Sequence, residues 1–472
     1  MSTVLERPGV GEAPAAIRAS HVVQGRLVEG DAVRHTSRDL GIDFTTPAID
    51  LDALVPPRSQ PAPMADVPLA EVIAFLAATG ERMNLDSNPH LQQAVELTAA
   101  TNVLPMHILR NLVDDARAYL TKDSLFRIVE ANFDPAYLDG WVEQVDNLGQ
   151  KSHVRAYPPR LIHMMAGNSP MAAVASIAQG ALVKAVNLFK MPSSDPFTTV
   201  AVLRTMADID PDHPVLRSMS AVYWRGGDAS IERTLYRPQY FDKVVAWGGG
   251  SAIDNVAKYI GPGFQMVSFD PKSSISMIGA ESFVDEATMD EVAERAAIDV
   301  SVLDQEACLS SRFIFAEGNI EQIDAFCGKL AGRLGIERSH SSAKVAPLPM
   351  EIREEIEVMQ IMDNGYKVWG SPNGTGLVIR SNEPVEFHPT NKTANVVQVA
   401  SLADALRYVN VATQTVGVYP DARKAELRDG LAAGGAQRVV RLGSAGKYCV
   451  GAPHDAMYPL HRFVHWMVDE EA

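Results

Sequence analysis

Cysteine is scarce: Cys308, Cys327 and Cys449 are the only three in 472 residues. Three scattered thiols form neither a disulfide framework nor a Cys-x-x-Cys metal signature, so a reducing compartment and no metal site are expected. Basic charge is also short, with 42 Lys and Arg against 58 Asp and Glu and a net charge of −16. Nucleic acid and anionic lipid both need a basic surface, and neither is expected as a partner. Long apolar runs are missing too. The most apolar, Met171–Val183, is broken by Ser176, Gln179 and Gly180, where a membrane span needs roughly 20 apolar residues. Residues 1–30 lack the apolar centre of a secretory signal. These absences predict a soluble, cytoplasmic chain.

What is present is ample apolar residue, 46%, in a length that suggests about two to four domains. Residues 1–63 are mixed and end in Pro56-Pro57-Arg58-Ser59-Gln60-Pro61-Ala62-Pro63. Proline fixes φ and removes a donor, so this stretch reads as an irregular arm. Residues 64–150 read as helical. Leu69, Val72, Ile73 and Leu76 keep helical spacing, with Gly80 as a C-terminal stop. Leu91, Ala94, Val95 and Thr98 repeat the pattern after Asn88-Pro89, and Leu109, Leu112, Val113, Ala116 and Leu120 do so after Pro105.

From Tyr157 the pattern becomes strand–turn–helix. Arg160–Ala166 reads as a buried strand, Gly167-Asn168-Ser169-Pro170 as its turn, and Met171–Leu182 as a helix of small residues. A second strand, Ala185–Lys190, is followed by a helix over Thr198–Ala207 and candidate strands at Ala221–Trp224 and Lys243–Trp247. Gly248-Gly249-Gly250-Ser251 then opens another helix. Strands alternating with helices argue for a doubly wound α/β domain with ligand at the carboxyl ends of its strands. The glycine turn does not meet the Gly-x-Gly-x-x-Gly fingerprint, yet a strand, a glycine run and a helix start can bring N–H groups to a phosphate.

Asp304-Gln305-Glu306-Ala307-Cys308-Leu309-Ser310-Ser311-Arg312 is a small-residue loop before the apolar strand Phe313-Ile314-Phe315. A thiol there can be presented as a nucleophile. Equally, free cysteine is among the most buried residue types and often only packs. Further strands are expected at Gly376–Ile379, Ala394–Val399 and Thr415–Tyr419, with a helix over Leu402–Val409.

Five motifs follow one another in order: Gly167-Asn168-Ser169-Pro170, Lys190-Met191-Pro192-Ser193-Ser194-Asp195-Pro196, Val245-Ala246-Trp247-Gly248-Gly249, Asp304-Gln305-Glu306-Ala307-Cys308, and Val450-Gly451-Ala452-Pro453-His454-Asp455. Together, over about Leu161 to Trp466, they resemble the aldehyde dehydrogenase superfamily and more closely its long-chain acyl-CoA reductase (LuxC-type) branch. The resemblance implies two doubly wound α/β domains with a helical N-terminal region: a cofactor domain at 151–303, a catalytic domain at 304–440 and a C-terminal segment at 441–472. It implies Cys308 as the nucleophile, since a thiolate attacks a carbonyl and later leaves. Asn168 is implied as the oxyanion donor, with the Cys308 N–H as a second. Lys190 is implied on the adenosine ribose, and Trp247, Gly249 and Gly250 near the pyrophosphate. The strand end Met164, Met165, Ala166 and also Gly279 are placed on the cofactor by the same resemblance. A homodimer or homotetramer is implied as well.

Three departures from the family pattern carry further expectations. Hydrolytic aldehyde dehydrogenases have a water-activating glutamate at the end of a cofactor-domain strand. The matching stretch is read as Ser274–Gly279, with Ser276 in the glutamate's place, and a hydroxyl is a poor base beside a carboxylate. That favours reduction of an acyl thioester over oxidation of an aldehyde. Ser193 stands where NAD-preferring members carry a glutamate, so NADPH is expected over NADH, with NAD possible. In Val385-Glu386-Phe387-His388-Pro389, Phe387 fits the family's cofactor-binding motif, and Glu386 is displaced by one position from its ribose-binding glutamate. His454 is read either as a proton donor, because imidazole titrates near neutrality, or as part of a structural turn. Cys327 and Cys449 are read as packing residues.

The substrate expected is an acyl-CoA or acyl-carrier thioester, with an acyl-activating enzyme as a possible partner. The rivals are an aldehyde dehydrogenase running oxidatively and a catalytically silent nucleotide-binding scaffold.

Overall fold

The computed structural model describes residues 17–362 and 365–470. Seven strands make a first sheet: β1 (His21–Val23), β2 (Arg26–Val28), β3 (Arg160–Met164), β4 (Val186–Lys190), β5 (Met219–Val222), β6 (Lys243–Trp247) and β7 (Gln265–Phe269). Their spatial order is β7-β6-β3-β4-β5-β1-β2, with β3 to β7 mutually parallel and the β1–β2 hairpin added antiparallel. A second sheet holds β8 (Ser273–Ile278), β9 (Ser311–Glu317), β10 (Lys367–Ser371), β11 (Gly376–Ser381), β12 (Thr393–Val399), β13 (Thr413–Tyr419) and β14 (Arg438–Arg441). Its order is β10-β11-β12-β9-β8-β13-β14, parallel except for β10.

Both sheets are covered on both faces, which is why their strands read as near-continuous apolar runs. In the first, Leu161, Phe189, Ala221 and Val245 turn to one core and Ile162, Leu188, Val222 and Val244 to the other. Strand side chains alternate in direction, so each run feeds two cores. The first core takes the helices α1 (Leu69–Arg82), α2 (Pro89–Thr101), α3 (Met106–Tyr119), α4 (Lys122–Asn132), α5 (Pro170–Leu182) and α6 (Thr198–Ala207). Helix α7 (Gly250–Ala257) packs on the opposite core through Val256. The second sheet is covered on one face by α8 (Glu286–Ser301) and α9 (Ile320–Leu334) and on the other by Leu402, Leu427 and Leu431. The architecture is that of two doubly wound α/β units with a helical N-terminal region. Among the described residues no helix is long and apolar enough to cross a membrane.

Four expectations need correction. The stretch 1–63 is not an irregular arm: residues 1–16 lie outside the described residues, but β1 and β2 extend the first sheet, and Ile17–Arg18, Val33–Thr36 and Asp43–Thr46 form a small sheet of their own. Gly80 does not stop α1, which runs to Arg82; a Cβ there would lie 2.7 Å from Leu120 Cβ, so the glycine serves close packing. The second sheet starts at β8, well before residue 304, because β8 pairs with β9 and β13 and not with β7. Leu402–Val409 is not an α-helix. Only Asp404–Tyr408 makes a 3₁₀ turn, started by Ser401 and Asp404 capping each other's N–H groups.

Candidate active site

The carboxyl ends of the parallel strands of the first sheet and the starts of β8 and β9 meet around a cavity of about 1950 Å³. Cys308 lies on its wall, half-buried, in the loop between α8 and β9. That loop is held in an unusual conformation. Leu303, Asp304 and Gln305 have φ of 49°, 55° and 71°, a region that costs a non-glycine residue roughly 1–2 kcal/mol. Such strain persists only where the surroundings over-determine it, and here they do. Asp304 accepts from the Ser342 N–H at 2.6 Å and the Ser342 hydroxyl at 2.5 Å. The Gln305 side chain donates to Thr393 O at 2.8 Å and accepts from Thr393 N at 3.1 Å. Leu303 N–H donates to His340 O, and Arg312 to Gln305 O. Beyond the bend, Ser274 Oγ donates to Cys308 O at 2.8 Å and accepts from Thr415 N–H at 3.2 Å, tying the loop to β8 and β13.

Asn168 comes from the opposite unit, in the turn between β3 and α5. Its side-chain amide donates to Glu306 O at 3.2 Å. A primary amide has two N–H donors, so one is left for a ligand beside the Cys308 loop. The turn passes close to the β4 loop: a Cβ on Gly167 would sit 2.0 Å from Ser194 Oγ. A larger residue there would have to displace the Ser194 hydroxyl. Burial, and then the Asp455 carboxylate, push the Cys308 thiol above its ordinary range, while Gln414 and the N–H groups of Cys308 and Leu309 pull against them. Burial also raises the Glu306 carboxyl, which lines the same wall.

On the first-sheet side, Lys190 ends β4 with Nζ over the rings of Tyr223 and Trp224, 5.7 and 5.8 Å from their centroids. Burial lowers its ammonium to about 8, against the pull of Glu232. Ser193 Oγ accepts from the Arg38 N–H at 3.1 Å, and Arg38 and Arg225 line the cavity beside it. Trp247 ends β6, stacked on Phe269 with ring centroids 3.6 Å apart. Gly249 caps α7, and a Cβ on Gly249 or Gly250 would meet nothing within 4 Å. Free N–H groups at the α7 start therefore stand open for an anion. Met164, Met165 and Ala166 complete this wall. A lysine, a serine, two arginines and an uncovered helix start fit a nicotinamide dinucleotide.

A family model described as acyl-CoA reductase (LuxC) matches residues 64–466. This chain belongs to the LuxC acyl-CoA reductase family. It is 29% identical over 411 residues to the long-chain acyl-protein thioester reductase of Vibrio harveyi, covering 86% of this chain and 83% of that one. It is 32% identical over 360 residues to the protein of the same name from Photorhabdus laumondii, covering 74% and 71%. Among solved structures it resembles a lactaldehyde dehydrogenase (TM-score 0.71, 15% identity, 97% of this chain and 100% of that one). It also resembles the NADP-dependent glyceraldehyde-3-phosphate dehydrogenase of Bacillus halodurans (TM-score 0.69, 12% identity, 96% and 99%). The fold is aldehyde-dehydrogenase-like.

The site of this LuxC-family chain does not gather every residue expected in it. Gly250, Gly279, Glu386 and Phe387 do not line the cavity. Gly279 follows the far end of β8, whereas Cys308 is tied to its start at Ser274; at about 3.3 Å per residue the two are roughly 16 Å apart. Ser276 is mid-strand, fully buried, with its hydroxyl 2.9 Å from that of Ser311. It does not occupy the place of a water-activating glutamate. The first-sheet strand that ends at the cavity and leads directly into β8 is β7, followed by Asp270, Pro271 and Lys272 on the wall. His454 is on the wall, with its ring edge-on to Trp247 and Phe269 at 5.4 Å. Its Nδ1 lies 3.3 Å from an Asp455 oxygen, out of line for a hydrogen bond.

Four residues near the site carry no signal of their own in the sequence, namely Arg38, Arg225, Glu232 and Gln414, whereas Asp455 stands in the last of the five motifs. Glu232 is buried beside Lys190, where it accepts from Gly227 N–H at 2.9 Å and Asn255 Nδ2 at 2.8 Å. Among the described residues no group of three or more His, Cys, Asp or Glu is placed to hold a metal ion.

Proposed function

We propose that this chain reduces a fatty acyl thioester to an aldehyde with NADPH, through an acyl group carried on Cys308. The observation that carries the reading is the meeting of Asn168 and the Cys308 loop across the two units, beside a wall that fits a dinucleotide. Relatives named long-chain acyl-protein thioester reductases support the substrate class. The cavity adds an apolar strip from Met171, Ala172 and Ala175 of α5 with Leu112 of α3 and Leu460, suited to an acyl chain.

Cys308 Sγ bonds to the carbonyl carbon, and the substrate's own C–S bond breaks, its sulfur leaving with a proton. His454, on the wall at that point, is assigned as the proton donor. When bound, the reduced nicotinamide supplies hydride to the carbonyl carbon. The oxyanion is held by the Asn168 amide and the Cys308 N–H, aimed where negative charge develops. Breaking the bond between the carbon and Cys308 then frees the aldehyde, and the thiolate takes back a proton. Preference for NADPH rests on Ser193 in place of a carboxylate and on Lys190, Arg38 and Arg225 around it.

Incubation with a long-chain acyl-CoA and NADPH should give aldehyde in step with NADPH consumed, and Cys308→Ala should give none. Aldehyde formation undiminished in that variant would overturn the reading. One observation favours oxidation of an aldehyde to an acid instead: Glu306, a carboxylate on the wall two residues before the nucleophile, is a possible base for water. Free acid formed from aldehyde and NADP without CoA, and lost in Glu306→Gln, would select that alternative.

A further inference from the structure

Asp299 lies two residues before the end of α8 and is fully buried, a costly place for a carboxylate unless its oxygens are paired. Both oxygens go to one short stretch of main chain. Oδ2 accepts from the Gly443 N–H and Oδ1 from the Ala445 N–H, each at 2.8 Å. Arg438 of β14 holds the same stretch by its carbonyls, donating to Ala445 O at 2.9 Å, Ser444 O at 3.4 Å and Lys447 O. Gly443 has φ of 83°, and a Cβ there would lie 3.1 Å from Arg295 Cβ, so the stretch starts flush against α8. Residues 443–447 are thus pinned by two side chains from different elements, one taking the N–H groups and the other the carbonyls.

From this anchor the chain runs along the cavity wall through Tyr448, Val450, Ala452 and His454. The Arg438 guanidinium lies over the Tyr448 ring, 5.1 Å from its centroid. The Tyr448 and His454 rings are nearly parallel, 6.1 Å apart at 18°, and His454 meets Trp247 and Phe269 edge-on. An unbroken series of contacts therefore leads from Asp299 to His454. The end of α8 also runs straight into the bend at Leu303–Gln305 that precedes Cys308. One helix end sets both the nucleophile loop and the segment beside it. We propose that Asp299 and Arg438 are positioning residues, holding residues 443–455 as a strap that aims His454 at the sulfur leaving as Cys308 is acylated. The inference rests on the proposed acyl transfer, with His454 as the proton donor. Neither Asp299 nor Arg438 lines the cavity, so each acts on the reaction through the His454 ring.

Two variants test it. Asp299→Asn keeps the volume but offers one acceptor oxygen in place of two, and Arg438→Gln alters an edge strand instead of the core. Hydrogen exchange read by mass spectrometry should show peptides from 443–455 exchanging faster in both, with α9 unchanged. Single-turnover acylation of Cys308 by a long-chain acyl-CoA should slow by roughly 10- to 10²-fold in each. In a His454→Gln background, itself slow, either substitution should cost no more than about a further twofold. A strap that exchanges no faster overturns the anchor. A loss that adds in full to that of His454→Gln overturns the positioning role, since a merely structural defect does not vanish with His454. Acylation as fast in His454→Gln as in the unaltered chain has the same consequence. The failures are distinguishable: no Cys308 adduct in the unaltered chain refutes the acceptor reading and the positioning role with it, whereas an adduct formed at full rate beside a released strap refutes the positioning role alone.

Discussion

Asn168 and Glu306 are joined by a 3.2 Å hydrogen bond from the side-chain amide of one to the main-chain carbonyl of the other. The bond spans the two α/β units and leaves the Glu306 carboxylate out of the contact. It fixes the amide against the loop that carries Cys308, and in the proposed mechanism donor and nucleophile approach a substrate as one preorganised group. Asn168→Ala should lower kcat by about 10²-fold or more while the dissociation constant for NADPH stays within twofold (~0.4 kcal/mol). Steady-state rates and a cofactor fluorescence titration on the same preparation check this. A matching loss in cofactor binding would assign Asn168 to the nucleotide.

The Asp304 clamp predicts a stability effect as well as a catalytic one. Asp304 lies 3.9 Å from the Lys392 ammonium, which is fully buried and also donates to Leu334 O and Ser342 O. Asp304→Ala would leave that cation without its carboxylate and the Ser342 N–H unpaired. A loss of about 3 kcal/mol is expected. Urea unfolding should show it as a lower midpoint with unchanged slope, and Cys308, whose thiol burial holds high, should alkylate with a midpoint at lower pH once its loop relaxes.

With Lys190 on the nucleotide, as proposed, cofactor binding acquires a pH dependence. The Lys190 ammonium is lowered to about 8 by burial, with Glu232 opposing and Arg38 reinforcing the shift. Below that value the group is charged and attracts the nucleotide; above it the attraction is lost. NADPH affinity should therefore fall as pH rises from 7 to 9. In Lys190→Met the affinity should be weak throughout and nearly flat over that interval. Fluorescence titration at several pH values gives both curves.

In the proposed function Ser193 sets the choice of nucleotide. Ser193→Glu places a carboxylate beside Lys190, Arg38 and Arg225, where it repels a 2′-phosphate and accepts from ribose hydroxyls. The ratio of NADPH to NADH affinity should fall on the order of tenfold, or about 1.4 kcal/mol. A ratio left unchanged would move discrimination away from this end of β4.

What the sequence revealed of this fold was what local pattern encodes. Helix α6 and strand β6 fall at the expected bounds because each is set by a short apolar run with turn residues at its ends. Strand β1 escaped notice because it is three residues long and joins the sheet through Val22 and Ala221, far apart in sequence. Only three residues separate β7 from β8, and both carry buried apolar residues. Nothing local says that they join different sheets, and Ser276 was misplaced for that reason. The order of motifs brought Cys308 and Asn168 to one place. Arg38 with Ser193, and Gln414 with Asp455, are contacts between distant segments that no periodicity announces.

The central claim is that Cys308 accepts an acyl group and yields it to hydride. The most direct measurement is intact-protein and peptide mass spectrometry after exposure to a long-chain acyl-CoA without cofactor, followed by NADPH. The account predicts one acyl adduct, on the Cys308 peptide, which disappears on addition of NADPH as an equal amount of aldehyde forms. An adduct on another residue, or one that NADPH discharges only as free acid, would contradict it.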